Sequence, residues 1–305
     1  MKLVKDTGGA TYVEFLIAFI PVFFLFLGIL QAGLLYTANL VVTHSANSAT
    51  RAAIVVLPDD PRAYGDEPVN QIGGSGGGGT DAVASFLGGF GLGGGGGPVM
   101  GGGSGGRRLS AIRAAASLPL LAVSPSFRQL VGDPSVYQAI GGHPGERAAT
   151  GAALYNRAAM AVTFPSAPAS RSFRSSWGRN SDVTVRVTYL FHCGIPLVAR
   201  LMCDGYFSLR AGVPTAAVAD LTRAAARGAD AQEMASHIRR VRIAEARVTR
   251  GQQGIRELDY AELPWVASLT ALTGSRFVVL QAEATLRNHG APYTYRGDAP
   301  SGSAL

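Results

Sequence analysis

Two features of the sequence carry side chains whose type and spacing could do chemistry. The first is a single carboxylate, Glu14, at the mouth of an apolar run: residues 15–42, beginning with Phe15, carry no formal charge over 28 positions. A charge at mid-bilayer costs about 2.5–3.5 kcal/mol even on lenient insertion scales, and less near the headgroups. Glu14 is therefore either an interfacial acid or a functional one in want of a cationic partner. The second feature is the pair Cys193 and Cys203, which together with the residues between them would close an eleven-residue ring. Two thiols exclude a four-thiolate zinc module, and His192 beside them still leaves a poor zinc site. In an oxidising compartment they form a bridge, contributing up to about 3 kcal/mol on the loop-entropy scale.

Other chemistry is thin. The five histidines, His44, His143, His192, His237 and His289, form no His-Glu-x-x-His set, no Gly-x-Ser-x-Gly occurs, and the carboxylates do not cluster in pairs. No catalytic residue, metal or cofactor is expected, and the chain is not read as an enzyme. Gly89, Gly91 and Gly94 satisfy Gly-x-Gly-x-x-Gly, but no strand precedes them and no helix follows at once, so dinucleotide binding fails on context. Gly105-Gly106-Arg107-Arg108 lacks the Gly-Lys-Ser/Thr of a phosphate loop. Arg239, Arg240, Arg242, Arg247 and Arg250 make a basic face flanked by Glu233, Glu245 and Glu257. That face reads as a solvated helix or an anionic-lipid contact, and an exported location argues against nucleic acid.

The elements that must position these residues follow from composition. The chain has 305 residues, 47% hydrophobic and 15% charged, with 40 glycines and a net charge of +7, which is too apolar for wholesale disorder. Its only lysines, Lys2 and Lys5, precede the apolar run, and all 25 arginines lie at or after Arg51. A helix needs about 20 apolar residues to span a bilayer, so residues 15–42 suffice. The positive-inside rule keeps the short basic end cytoplasmic and exports the rest. A cleaved secretory signal is the rival reading, against which stand the length of the run and the lack of a nearby Ala-x-Ala. Three- and four-residue spacings of Leu34, Leu35, Leu40, Val42, Ala46, Ala49 and Ala53 extend the helix beyond the bilayer as an amphipathic rod. It stops at Leu57-Pro58, and Pro21 kinks it without ending it. Gly28 and Ala32, and Ser45, Ala49 and Ala53, are spaced for close helix approach.

The segment Gly8-Gly9-Ala10-Thr11-Tyr12-Val13-Glu14-Phe15, with the Ile/Leu/Phe-rich run and early Pro21 behind it, resembles the processing site of type IV pilin-like proteins. Within that group it is similar to the TadE-like pseudopilins of the tight-adherence (Flp) pilus system, over roughly residues 5–55. The resemblance implies a leader of residues 1–9, cut by a prepilin peptidase between Gly9 and Ala10, and a glutamate at the fifth mature position. It also implies an ion pair between Glu14 and the new α-amine of Ala10, setting the register of subunits, with other pilin or pseudopilin subunits and inner-membrane lipids as partners. The residues themselves supply reasons. Gly8-Gly9 offers a peptidase an unobstructed backbone with little helix propensity. An α-amine with a reference pKa of about 7.7–8 is a cation near neutral pH. Glu14 could meet it within one helix, four residues on, or across subunits. The alternative is a single-span, membrane-anchored periplasmic module that binds a ligand or partner, with no connection to pili.

The exported part is expected at residues 57–305, an α+β domain with a small antiparallel sheet and a glycine-rich insertion over residues 73–106, which holds 19 of the 40 glycines. Helices are predicted at residues 109–117 and 146–161, and over most of 221–250 with Gly228 as a weak point. Alternation predicts half-buried strands at residues 183–189 and 278–287, and a third at 206–210. Asp133-Pro134-Ser135-Val136-Tyr137 begins like the metal motif of von Willebrand A domains, but Tyr137 replaces an oxygen ligand, against a TadG-like reading.

Overall fold

The computed structural model describes residues 7–72, 106–125, 143–263 and 274–288. Helix α1 (Thr7–Val56) is one continuous element of 50 residues that passes Pro21 without ending. After a turn of 3-10 helix at Pro61–Tyr64 come α2 (Arg107–Leu120), α3 (Pro144–Ala159), β1 (Met160–Thr163) and β2 (Asp182–His192). Next are α4 (Pro196–Met202), β3 (Asp204–Gly205), α5 (Tyr206–Ala211), α6 (Thr215–Ala226), α7 (Ala231–Glu257) and β4 (Arg276–Arg287). The four strands pair antiparallel in the order β1-β2-β4-β3. The α+β reading and the long N-terminal helix therefore stand.

Three expectations are corrected. Residues 206–210 form helix α5 rather than a strand: Leu209 packs against α7 at Gly251, and Gly212 closes the helix in the left-handed region at φ +73°. The predicted helix at 146–161 ends at Ala159, because the β-branched Val162 and Thr163 continue from Met160 as an edge strand on β2. Strand β2 is buried on both faces rather than half-buried, since a helix covers each side.

The two faces follow from register. Val183, Val185, Val187 and Tyr189, all fully buried, share one face with Leu286, Ala284, Ala282 and Leu280 of β4. Helix α1 lies on that face. Its buried positions, Ala38, Val42, Ala46, Ala49, Ala53 and Val56, recur every three or four residues, and the small ones let the backbones close in. Thr50 Oγ1 donates to Ala284 O across the contact at 3.3 Å. Helix α2 lies alongside, where Ser45 Oγ donates to Ala116 O at 2.6 Å. The opposite face carries α7, and Gly254 permits the approach, because a Cβ there would collide with Val279.

Candidate functional site

The residues singled out by the sequence occupy the free end of α1. Gly9 and Ala10 lie in its first turn, so the helix runs through the predicted leader boundary in this conformation. Glu14 is exposed, and its carboxylate has no hydrogen bond or ion pair among the described residues. Phe15 opens a stacked ladder along one side of the helix, with centroids 5.5 Å from Phe15 to Phe19 and 5.6 Å from Phe19 to Phe23. Those rings are 61%, 45% and 38% exposed, so a bare aromatic stripe runs down from the acid. The helix is long and apolar enough to cross a membrane, with a mean hydropathy of 2.6 in its most apolar stretch, none of which is buried.

The other end of α1 is clamped by two residues that sequence reasoning did not single out. Arg108, fully buried at the start of α2, donates to Val56 O, to Leu57 O at 3.3 Å and to Asp59 O at 2.9 Å. It thereby satisfies carbonyls that a helix C-terminus leaves without partners. Its guanidinium also lies 4.7 Å from the Tyr64 ring centroid. Burial pulls its pKa below the ordinary arginine value, an effect opposed by Glu67, Tyr64, Asp59 and Asp60. Glu67 in turn accepts from the first amides of α2, Arg107 N and Arg108 N. Gly106 leaves room for that carboxylate, since a Cβ there would push the end of the Glu67 side chain aside.

A polar ladder occupies the α7 face of the sheet. Arg186 bridges Glu257 at 2.5 Å and Glu283 at 2.6 Å and donates to Ser170 O at 2.7 Å. Thr188 Oγ1 donates to Glu257 at 2.7 Å, and Gln281 Nε2 donates to both Thr188 and Glu257. Burial opposes the Arg186 charge, but hydrogen bonds and charges from Glu283 and Glu257 outweigh it and raise the pKa. Each acid in this group is tied to a cation or a donor, so the cluster fixes α7 on the sheet and offers no poised base. A cleft of about 190 Å³ opens beside α2 and β1, walled by Leu109, Val162, Phe164 and Tyr260. Arg113, Thr163 and Arg174 also reach it, with no acid or histidine in the lining.

Cys193 and Cys203 are joined in a disulfide with Cα atoms 6.6 Å apart. His192 packs edge-on against Phe277, with ring centroids 5.7 Å apart, and burial lowers its pKa. No group of three or more His, Cys, Asp or Glu among the described residues could hold a metal ion. The Gly89–Gly94 motif, His289 and the Asp133–Tyr137 segment lie outside the described residues.

Residues 9–51 match the family model for TadE-like protein. The TadE-like segment thus starts at Gly9, contains Glu14, Phe15 and Pro21, and takes in both the bare stretch of α1 and most of the stretch packed on the sheet. No curated protein and no solved structure matches the chain.

Proposed function

We propose that this chain is a pilus-assembly subunit or minor pseudopilin of a tight-adherence (Tad/Flp) pilus or related secretion machine, anchored by α1 in the inner membrane. Lys2 and Lys5 hold the N-terminus in the cytoplasm, and the domain from residue 57 onward is periplasmic, where the Cys193–Cys203 bridge persists. A prepilin peptidase cuts after Gly9, and the α-amine of Ala10 then supplies the cation that Glu14 lacks. The observation that carries this reading is coincidence: the TadE-like match, the bare apolar span and the exposed Glu14, which has no partner among the described residues, fall on the same stretch of helix. Such a protein is a substrate of the peptidase and itself catalyses nothing.

Co-expression with the peptidase, read by intact-mass spectrometry of the membrane fraction, tests it. The expected product lacks residues 1–9 and begins at Ala10, and Gly9→Leu remains full length. An unshortened chain in both cases overturns the pseudopilin reading and leaves a membrane-anchored binding module.

A further inference from the structure

Strand β1 is an outer strand of the sheet, and the cleft beside it wraps its edge. Neighbouring residues of a strand point to opposite faces, so Val162, Thr163 and Phe164 line one cleft together only around an edge. Val162 pairs with Val187, on the side of α1 and α2, and Thr163 pairs with Arg186, on the side of α7. Arg113 comes from α2, and Tyr260 from the turn of 3-10 helix Leu258–Tyr260 that follows α7. Arg113 Nη2 donates to Tyr260 O at 2.6 Å, which joins the two layers past that edge. The far end of the cleft is held where Ile72 N donates to Ser175 O at 2.9 Å and Arg174 N to Phe164 O at 2.8 Å. Asn70 N, two residues before Ile72, donates to Leu57 O at 2.7 Å, so the cleft lies toward the end of α1 away from its bare stretch. It is the same cleft whether or not α1 crosses a membrane.

The walls are apolar and the charged groups are of one sign. Leu109, Val162 and Phe164 are buried. A volume of about 190 Å³ exceeds the ~150 Å³ cavity that admits benzene, so one ring or branched aliphatic chain fits together with a small polar group. At the mouth Phe173 and Tyr260 meet edge-on with centroids 5.4 Å apart, each 40% exposed, and Arg174 is exposed beside them. Thr163 is 5% exposed, and its hydroxyl has no hydrogen-bond partner among the described residues. A buried hydroxyl left so costs free energy and calls for a partner. Arg113 is equally buried. Burial lowers its pKa, and Glu262, itself bonded to Arg157 at 2.6 Å, offsets that only in part. Two cations and no acid line the cleft, so its field selects an anion. A carboxylate suits it better than a phosphate, because one negative charge costs less to desolvate against apolar walls than two.

We infer that this cleft binds a carboxylate carried on an apolar group the size of one side chain. The ring or branched chain seats against Leu109, Val162 and Phe164, and the half-exposed Phe173–Tyr260 pair parts to admit it. The carboxylate accepts a hydrogen bond from the Thr163 hydroxyl in the field of Arg113, with Arg174 drawing it in at the mouth. Two sources supply that chemistry: the apolar C-terminal residue of a polypeptide, and a free aryl or alkyl acid.

The test uses the full chain in lipid nanodiscs, titrated by saturation-transfer NMR with phenylacetate, with a short peptide ending in Gly-Phe, and with the primary amide of each; empty nanodiscs serve as the blank. The expected result is binding of at least one acid, its amide being about tenfold weaker or more, because a hydrogen bond to a charged group is lost. Tighter binding by the peptide acid names a polypeptide terminus as the ligand, and tighter binding by phenylacetate names a free acid. Thr163→Val keeps the shape and removes the hydroxyl. It should weaken the acid about tenfold without lowering the melting temperature, whereas Thr163→Ser should bind like the parent. Failure of both acids to bind overturns the inference. So does an amide that binds as tightly as its acid, and so does full affinity in Thr163→Val, which would place the ligand elsewhere on the chain.

Discussion

His192 ends β2 with its ring edge-on to Phe277 and its pKa lowered by burial, so the folded chain resists its protonation. An unfolded histidine takes a proton below about pH 6.5. Above that value the side chain is neutral in both states and contributes no pH dependence. As pH falls through it, the unfolded state binds more protons and the native state loses stability. Between pH 7.5 and 5.5 the melting temperature should therefore fall further for the parent chain than for His192→Gln; parallel falls would refute the assignment. Single residues were unequally legible in the sequence. Glu14 and the two cysteines stood out because an acid in an apolar run and an isolated thiol pair are conspicuous without coordinates. Arg108 was hidden because its partners, Val56 and Leu57, lie across the glycine-rich stretch and contribute backbone oxygens, which sequence chemistry does not mark.

Elements were legible where a period ran long enough. Strands β2 and β4 declared themselves through alternation over residues 183–189 and 278–287, and α1 through the uncharged run of residues 15–42 and the helical spacing beyond it, within elements of 11, 12 and 50 residues. Helix α5 did not, since five residues from Tyr206 fit either period and the packing of Leu209 on Gly251 decides the matter. The end of α1 is a tertiary construction: Pro58 stops the helix, but its last carbonyls are satisfied from α2. Arg108→Met keeps volume and removes those donors, leaving Leu57 O with the Asn70 N–H, Val56 O with only a long contact from Asp59 N, and Asp59 O without the guanidinium. The cost should be about 3 kcal/mol, in the range for breaking a buried charged contact. Arg108→Lys, which cannot fork between Val56, Leu57 and Asp59, should recover only part of it. Chemical denaturation in detergent measures both, and a loss within 0.5 kcal/mol, the usual range for surface substitutions, would show that water caps the helix instead.

At the scale of the whole molecule, the anchor and the domain are not separable at the boundary that composition draws. The sequence places that boundary at Leu57-Pro58, where the helix ends and charges return. In the structure Ala38, Val42, Ala46, Ala49, Ala53 and Val56 of α1 belong to the same core as Val183, Val185, Val187 and Tyr189 of β2, so the second half of α1 packs as part of the domain. A fragment of residues 31–305 keeps every one of these contacts and loses only the bare stretch. A fragment of residues 58–305 removes the α1 seam from a sheet whose central strand is built to be buried on both sides, and it also takes from the Arg108 guanidinium the Val56 and Leu57 carbonyls, leaving those of Asp59 and Glu67. Burial of apolar surface is the main favourable term in folding, and net stability is only about 5–15 kcal/mol, so losing a helix-wide seam exceeds the margin. The longer fragment should be soluble and unfold cooperatively by circular dichroism, with its disulfide formed. The shorter should aggregate or melt without a transition, and cooperative unfolding of that fragment would show that α1 merely leans on the sheet.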